Sequence, residues 1–423
     1  MLRRAVAFGP GLAFLLGTIG PRDLITNSIA GASSGYTLLW LIALGPLVRF
    51  FFLEASARYV LVTGQSLLTG CGNVGRWIVL LWFVLAVLNR HVYALIQITL
   101  LGTGGHFVLP LPTRHSVMIW GLSSWVAGFA LMYWGRYRGL EKISRPLGVL
   151  LGACIVMAAV LSRPDLSDLV KGAFSPSLPA DVGMHSPTLV LMALLAGAVG
   201  SNANLQYSAF VHEKGWRNPS FLRRQRIDLL LSMAGTFLML AMIQIAAAAA
   251  LRPRGIQVAE MEDLIPVFSG VLGHSGRIFL GLTIWSMVFS NYVGYSTGNG
   301  LMIAEVYHRF VRPSGAIAEQ DRGAGASYLP AFRWIVTYVL LCPLYVFFTN
   351  WSPVGLVLVG GAASALSLPI VTVVILRLTA DPKIMGEHAN SWLTNIVLVL
   401  AGVVALYLGY QGTIRLWPAV RGS

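Results

Sequence analysis

The chain has 423 residues, of which 56% are hydrophobic and only 11% are charged, and its mean hydropathy is +0.72. A typical soluble domain carries about 25% charged residues, so this composition excludes an ordinary soluble protein. Apolar runs of about 20 residues, the length that crosses a bilayer, recur along the whole chain. The sequence therefore predicts an all-α polytopic membrane protein that forms one transmembrane domain over residues 1–423.

The net charge is +14, and the basic residues cluster in alternate loops while the loops between them are more acidic. This asymmetry follows the positive-inside rule and indicates contact with the lipid bilayer, not with nucleic acid. It predicts a multi-pass protein of the cell (inner) membrane with a cytoplasmic N-terminus. The basic residues after the sixth apolar segment are Lys214, Arg217, Arg223, Arg224 and Arg226.

The apolar runs predict about eleven transmembrane helices. They lie at about 9–32, 36–62, 76–102, 114–135, 143–162, 186–212, 227–251, 264–307, 330–349, 353–379 and 391–411, with a short re-entrant or surface helix expected at the start of the eighth.

The first apolar segment carries a break with two charges in it. Gly20 and Pro21 interrupt the helix, because proline lacks a backbone donor and clashes with the preceding turn. At about 1.5 Å per residue, Arg22 and Asp23 lie roughly 20 Å into the segment, well inside the bilayer. A broken helix at that depth must face protein or a water-filled cavity, and charges there are usually functional.

The sixth segment is interrupted in a similar way by Gly197, Gly200 and a polar cluster. Paired interrupted helices at matching positions of two halves point to a transporter's site at the bilayer midplane. The alternative is that small residues only permit close helix packing. We take as candidate substrate-binding residues Gly20, Pro21, Arg22, Asp23, Gly200, Ser201, Asn202 and Asn204.

The spacing of the two breaks implies an inverted repeat of five plus five helices. The first repeat covers about 9–162, the second about 186–379, and an extra helix follows at about 391–411. Among other polar residues in the spans, Arg49 and Glu54 are expected to pair with each other or across to another helix.

Short motifs along nearly the whole chain, in order and spacing, resemble the NRAMP (natural resistance-associated macrophage protein) family. This resemblance implies the leucine-transporter-like fold and proton-coupled transport of divalent metals. The matching stretches include Gly9-Pro10-Gly11, Ser56-Ala57-Arg58, Tyr137-Arg138-Gly139, Ser367-Leu368-Pro369 and Asp381-Pro382-Lys383.

The sequence departs from that family at its metal-site motifs. The family's Asp-Pro-Gly-Asn falls on Gly20-Pro21-Arg22-Asp23, and its Met-Pro-His falls on Gly200-Ser201-Asn202. The acidic pair expected in the third helix falls near Ala86 and Asn89. The resemblance therefore implies a candidate route for a proton or coupling ion at Asn89, Arg90 and His91.

The remaining donors at the breaks are oxygen and amide groups, which suit a hard cation such as magnesium better than a soft transition metal. A permanent guanidinium at Arg22 opposes this. At about 5 Å and an effective dielectric of about 20 it repels a divalent ion by roughly 6–7 kcal/mol. We therefore expect a secondary transporter that works by alternating access and carries a small anionic or zwitterionic solute, held by Arg22 and by free amides at the helix breaks.

Two other interpretations stay open. The first is transport of a hard divalent cation with Asp23 and Asn202 as ligands, weakly coupled or uncoupled to protons. The second is a non-transporting membrane sensor or regulator that kept the fold and lost the site. Enzyme activity is not expected, because the sequence has no Ser-His-Asp order, phosphate loop or zinc-ligand spacing, and no cofactor is expected.

Overall fold

A computed structural model describes residues 9–175, 177, 187–200, 203–313, 329–349, 354, 356–357 and 367–421 of the chain. Within these ranges the secondary structure is helical, with no strand.

The helices of the first half are α1 (Pro10–Thr18), α2 (Pro21–Ser34), α3 (Leu39–Thr63), α4 (Leu67–Val74), α5 (Arg76–Val108), α6 (Ser116–Leu161) and α7 (Leu166–Phe174). Those of the second half are α8 (Pro187–Val199), α9 (Ala203–Glu213), α10 (Leu222–Ala250), α11 (Ile265–Leu272), α12 (Gly276–Val306), α13 (Pro330–Leu341), α14 (Leu368–Thr379), α15 (Pro382–Met385) and α16 (Trp392–Arg421).

Six helical stretches in the described ranges are long and apolar enough to cross a membrane. They are Leu39–Thr63, Arg76–Val108, Ser116–Gly135, Pro219–Arg254, Gly273–Val311 and Pro330–Phe348. Shorter apolar helices lie at Gly152–Leu161, Leu368–Thr379 and Trp392–Tyr407.

The two predicted helix breaks are present. The first apolar segment divides into α1 and α2 around Ile19 and Gly20, and the sixth divides into α8 and α9 after Val199. The short helix expected before the eighth span is α11. The breaks follow the sequence because glycine and proline stand where each helix stops.

The expected division between the fourth and fifth helices, 114–135 and 143–162, is wrong. One helix, α6, runs continuously through the basic segment between them and contains Pro146. That segment is rich in Arg, Lys, Leu and Glu, all good helix formers, and has a single glycine, Gly139, so nothing in it forces the helix to stop.

The centre of the bundle is α12, whose residues from Ser286 to Val306 are all buried. It packs against α1, α5, α6 and α13. Because a helix that is surrounded on all sides has no solvent face, the polar side chains of α12 depend on partners inside the protein, although Ser296 Oγ, Thr297 Oγ1 and Asn299 Oδ1 are buried without one. These partners define the candidate site.

Candidate functional site

The break in the first helix is capped by its own carboxylate. Gly20 has an extended backbone and begins α2, with Pro21 at the first helical position. The Gly20 amide donates to Oδ2 of Asp23 at 2.9 Å, and the Asp23 amide donates back to the Gly20 carbonyl at 2.9 Å. The first bond is the carboxylate half of a capping box, and the second is a backbone bond of the first turn. Both satisfy donors that a helix start leaves unpaired.

The cap leaves few amides for a ligand, which corrects the expectation that the free amides of this break hold an anion. Pro21 has no N–H, and the Leu24 amide donates to the Gly20 carbonyl at 3.2 Å. Together with the bonds made by the Gly20 and Asp23 amides, this uses most of the donors at the start of α2. An anion at this break would have to be held mainly by side chains.

A chain of side-chain hydrogen bonds joins α5 and α12 to the end of α1. An Arg90 Nη2 donates to Gln97 Oε1, and Gln97 Nε2 donates to Asn291 Oδ1 at 2.5 Å. Asn291 Nδ2 then donates to the carbonyl of Gly17 at 3.0 Å. That carbonyl belongs to the last turn of α1, where helical carbonyls lack partners within the helix. Asn291 of α12 thereby supplies a hydrogen-bond donor to the end of α1, in place of the donor that a continuing helix would provide.

Close contact explains why Gly20 follows this turn. A Cβ on Gly20 would lie 2.7 Å from the amide of Asn291. A side chain at Gly20 would displace the Asn291 amide that donates to the Gly17 carbonyl. Glycine at this position therefore leaves room for the hydrogen bond between α12 and the end of α1.

The break in the sixth helix is braced by Asn204. Gly200 has φ +82, a left-handed conformation that favours glycine. Asn204 Nδ2 donates to the carbonyl of Val199 at 3.1 Å, which spans the interruption. The predicted residues Ser201 and Asn202 lie outside the described residues.

The structure brings the two breaks together. A Cβ added to Gly197, near the end of α8, would lie 2.5 Å from Oδ1 of Asp23 and 3.7 Å from Nε of Arg22. The charged pair at the start of α2 therefore lies directly against the end of α8.

Arg22 carries donors without acceptors. Its Nε and Nη1 atoms are buried and have no hydrogen-bond partner. Its guanidinium carbon lies 5.8 Å from the centre of the Tyr93 ring, within range of a cation–π interaction. A buried donor that lacks an acceptor is costly, and such exceptions call for an explanation. A bound anion would supply the missing acceptor.

Arg49 is a second buried guanidinium at the breaks. Of the two alternatives expected for Arg49 and Glu54, pairing with each other or across to another helix, the structure shows the second. Arg49 Nε donates to Asn204 Oδ1 at 3.3 Å, and its guanidinium lies 5.0 Å from the centre of the Phe14 ring. Residues five apart do not share a helix face, whereas residues four apart do. Glu54 accordingly pairs with Arg58 at 3.4 Å and with Arg226 of α10 at 2.9 Å.

The three candidate route residues on α5 have different partners. Asn89 Oδ1 accepts from the Tyr295 hydroxyl at 2.7 Å, and the guanidinium of Arg90 lies 5.5 Å from the centre of the same ring. His91 lies with Nδ1 3.0 Å from the Tyr338 hydroxyl and Nε2 2.9 Å from the Tyr345 hydroxyl. A route for a proton or coupling ion along these residues stays a prediction.

The charge balance of this region is positive. Three guanidiniums, from Arg22, Arg49 and Arg90, share the interior around the breaks with the single carboxylate of Asp23. Arg49 and Arg90 are only 3% and 1% exposed. In the part of the chain that the structure describes, no three His, Cys, Asp or Glu side chains come together to hold a metal ion.

Sequence reasoning missed the roles of Arg49, Gln97 and Asn291. Gln97 lies seven residues, or two helical turns, after Arg90, a spacing that places both on one face. Attention to that spacing would have paired them. Nothing local to Arg49 indicates that it reaches Asn204, because the contact joins residues 155 positions apart.

A carboxylate from α10 caps the start of α1. Asp228 Oδ2 accepts from the Gly11 amide at 2.8 Å and from the Tyr207 hydroxyl at 3.3 Å. Anionic groups are favoured at a helix N-terminus, because the amides there are unpaired and carry partial positive charge. Asp228 thus holds α1, α9 and α10 together at one end of the bundle.

Comparison with known proteins gives a consistent result. The sequence model of the natural resistance-associated macrophage protein-like (Nramp) family matches residues 11–415. The divalent metal cation transporter MntH of Aeromonas hydrophila is 24% identical over 412 residues, which is 95% of this chain and 93% of that protein.

Solved structures show the same fold. A variant of the Eremococcus coleocola manganese transporter matches with a TM-score of 0.79 at 14% identity, over 99% of this chain and 90% of that one. A nucleobase-cation-symport-1 family transporter, in a closed conformation with bromovinylhydantoin bound, matches with a TM-score of 0.60 at 11% identity, over 98% and 92%.

The all-helical bundle with interrupted first and sixth helices is therefore the leucine-transporter-like fold. The match of the family over nearly the whole sequence agrees with the apolar helices and the paired breaks. The chain belongs to the Nramp family and is a membrane transporter of that family.

Proposed function

We propose that this Nramp-family transporter carries a small anionic or zwitterionic solute by alternating access. The observation that carries the proposal is the buried, unpartnered Nε and Nη1 of Arg22 at the junction of the two helix breaks. A carboxylate is the matching acceptor, because guanidinium and carboxylate form short, charge-assisted and often bidentate hydrogen bonds.

The surrounding charge supports the same class of solute. Asp23 is engaged by the Gly20 amide, and Arg49 adds a second cation next to Asn204. An anion entering here gains attraction from two guanidiniums, while a zwitterion would place its cationic group towards Asp23. The organic ligand bound by the nucleobase-cation-symport-1 family transporter indicates that this architecture can enclose a small organic molecule.

A second candidate is transport of a divalent metal, favoured by the relatives, which are a divalent metal cation transporter and manganese transporters. The ligands would be Asp23 and Asn202 with backbone carbonyls at the breaks. At about 5 Å and an effective dielectric of about 20, Arg22 opposes a divalent ion by roughly 6–7 kcal/mol. This candidate therefore requires Arg22 to turn away when the ion binds.

Alternating access would move two inverted repeats, about 9–162 and 186–379, around the breaks, with the helix at 391–411 outside them. The loop charges support a multi-pass protein of the cell membrane with its N-terminus in the cytoplasm. In that orientation the Asp228 cap on α1 would lie towards the cytoplasmic side.

The test is flux into proteoliposomes made with purified protein. Radiolabelled lactate, glutamate, glycine and manganese are offered separately, and each is compared with protein-free liposomes. We expect uptake of at least one carboxylate-bearing probe, its loss in Arg22→Gln, and partial retention in Arg22→Lys. Uptake of micromolar manganese by the wild type, with no carboxylate uptake, would overturn the anion assignment.

The matched control is Arg277→Gln. Arg277 lies near the start of α12 with its guanidinium 5.1 Å from the centre of the Phe107 ring, so it is also an arginine over an aromatic ring. It takes no part in the contacts at the breaks. Its replacement should leave the flux unchanged if Arg22 acts through the site and not through general stability.

A further inference from the structure

A cavity lies away from the helix breaks, between α5, α12 and α13. Its volume is about 500 Å³. The walls are mostly apolar and aromatic, formed by Phe83, Val87, Ile303, Trp334 and Ile335. Cavities of about 300–1,000 Å³ with such linings are typical of small-molecule sites.

The cavity wall also contains a buried, incompletely paired cation. Arg90 lines the cavity and is 1% exposed. One of its Nη atoms donates to Gln97, whereas its Nε and Nη1 are buried without a partner. Arg312 lines the cavity as well, and no Asp or Glu is among its described lining residues.

We propose that this cavity binds an amphipathic organic anion, with a carboxylate on Arg90 and an apolar body against the walls. The carboxylate supplies the acceptor that the buried guanidinium lacks. The lining also includes Tyr307, His308, Arg312 and Tyr338, but most of the wall is apolar, and a small hydrated inorganic anion would leave that part uncovered. The apolar walls instead favour a ligand with a hydrocarbon part.

The ligand would be connected to the first helix break. Arg90 donates a hydrogen bond to the Gln97 side chain, and Gln97 donates to the side-chain amide of Asn291. Asn291 in turn donates to the Gly17 carbonyl. A carboxylate on Arg90 therefore joins a continuous hydrogen-bonded chain that ends at the last turn of α1. This cavity site does not rest on the solute proposed for Arg22, and its test measures binding, not flux.

The test uses a brominated decanoate and the matching brominated decanol, because bromine quenches nearby tryptophan fluorescence. The purified full chain is placed in nanodiscs of zwitterionic lipid at mildly alkaline pH, where the carboxylate is ionised. Trp334 is the reporter, and its contribution is the difference between the wild type and Trp334→Phe. Trp392→Phe is the control, since Trp392 is 73% exposed on α16 and does not line the cavity.

We expect the decanoate to quench Trp334 at a concentration about tenfold lower than the decanol, as one charge-assisted contact would give. Arg90→Gln should remove that difference, and Arg90→Lys should restore part of it. Equal quenching by both probes in the wild type, or an unchanged preference in Arg90→Gln, would overturn the proposal.

A second variant tests the cavity with Arg90 unchanged, so that the result does not depend on whether the Arg90 variants fold. Val87→Phe fills part of the cavity, leaves Arg90 in place and adds no tryptophan, so both probes should lose about tenfold in apparent affinity through exclusion from the space. Unchanged quenching of Trp334 in Val87→Phe would show that the probes reach it from the lipid, and would also overturn the proposal.

Discussion

Gly17 of α1 and Gly294 of α12 lie in direct backbone contact. A Cβ on Gly294 would lie only 2.3 Å from the Gly17 Cα, and one on Gly17 would lie 3.0 Å from the Gly294 Cα. Small residues at such positions allow helices in a membrane to approach closely. This contact places the end of α1 next to Asn291, which lies one helical turn before Gly294.

Gly294→Ala should separate α1 from α12 and destabilise the protein by about 1–3 kcal/mol, the usual cost of overpacking a filled interior. The measurement is the melting temperature of the purified protein in detergent. The matched control is Gly152→Ala on α6, where the added Cβ would meet only Met239 Cε at 3.9 Å. That variant should be neutral or slightly more stable, because alanine is the better helix former. Equal melting temperatures for both variants would contradict the contact.

Asn291→Ala should leave the Gly17 carbonyl and the Gln97 amide without partners. Each buried polar group left unpaired costs about 1–3 kcal/mol, so the melting temperature should fall clearly. Ser290→Ala is the control, since that hydroxyl donates only to the Met287 carbonyl of its own helix at 3.0 Å. If Asn291→Ala were as stable as Ser290→Ala, the hydrogen bonds from Asn291 would not contribute to the stability of the protein, and the prediction would be wrong.

Asp228→Asn should loosen the start of α1, because a neutral amide attracts helix-terminal amides less than a carboxylate does. The expected loss is about 0.5–2 kcal/mol, the range for a helix cap. The assay is maleimide labelling of a cysteine introduced by Ala13→Cys, at a site on α1 that is 3% exposed. Labelling should be faster in the Asp228→Asn background.

Asp263→Asn provides the comparison for that assay. Asp263 Oδ2 also accepts backbone amides, those of Ala259 and Glu260, both at 2.8 Å, but it lies away from α1. Its replacement should not alter labelling at Ala13→Cys. Equal acceleration in both variants would mean that labelling reports general loosening.

Glu54→Gln should be costly, and Arg226→Gln should not. Glu54 and Arg58 have side chains that are 10% and 7% exposed. Arg58 also donates to Asn390 Oδ1 at 2.6 Å, but removing the carboxylate leaves this buried guanidinium without a countercharge, at about 3–5 kcal/mol. The Arg226 side chain is 51% exposed, and pairs with an exposed partner contribute about 1 kcal/mol or less. Melting temperatures of the two variants test this order. Equal losses would contradict it, because they would mean that Arg226 is the main partner of Glu54.

The fold could be predicted from the sequence because its signals are local. Apolar runs indicate the membrane-spanning segments, and Gly20 with Pro21 indicates where the first helix is interrupted. The continuous α6 escaped prediction because basic residues were taken as evidence of a loop, although Arg and Lys are good helix formers. Charge at a membrane surface and helix termination are separate properties.

The site was only partly predictable. Arg22 and Asp23 stood out because charge in an apolar run needs a reason. Arg49 and Asn291 act through contacts with residues far away in the chain, which no local pattern reveals. The expectation of free amides at the break failed because Asp23, read as a ligand, also serves as the cap of its own helix.

That self-contained cap has an energetic consequence for the transport cycle. In this conformation Asp23 caps its own helix, and the guanidiniums of Arg22 and Arg49 outnumber this one carboxylate. Under the anion transport proposed above, the empty site would keep that positive excess as the protein changes conformation. Moving an unbalanced charge through the low-dielectric middle of a bilayer is costly, whereas an anion aboard would neutralise part of it. Such a carrier would reorient more readily when loaded than when empty, which favours one-for-one exchange across the membrane over net one-way movement.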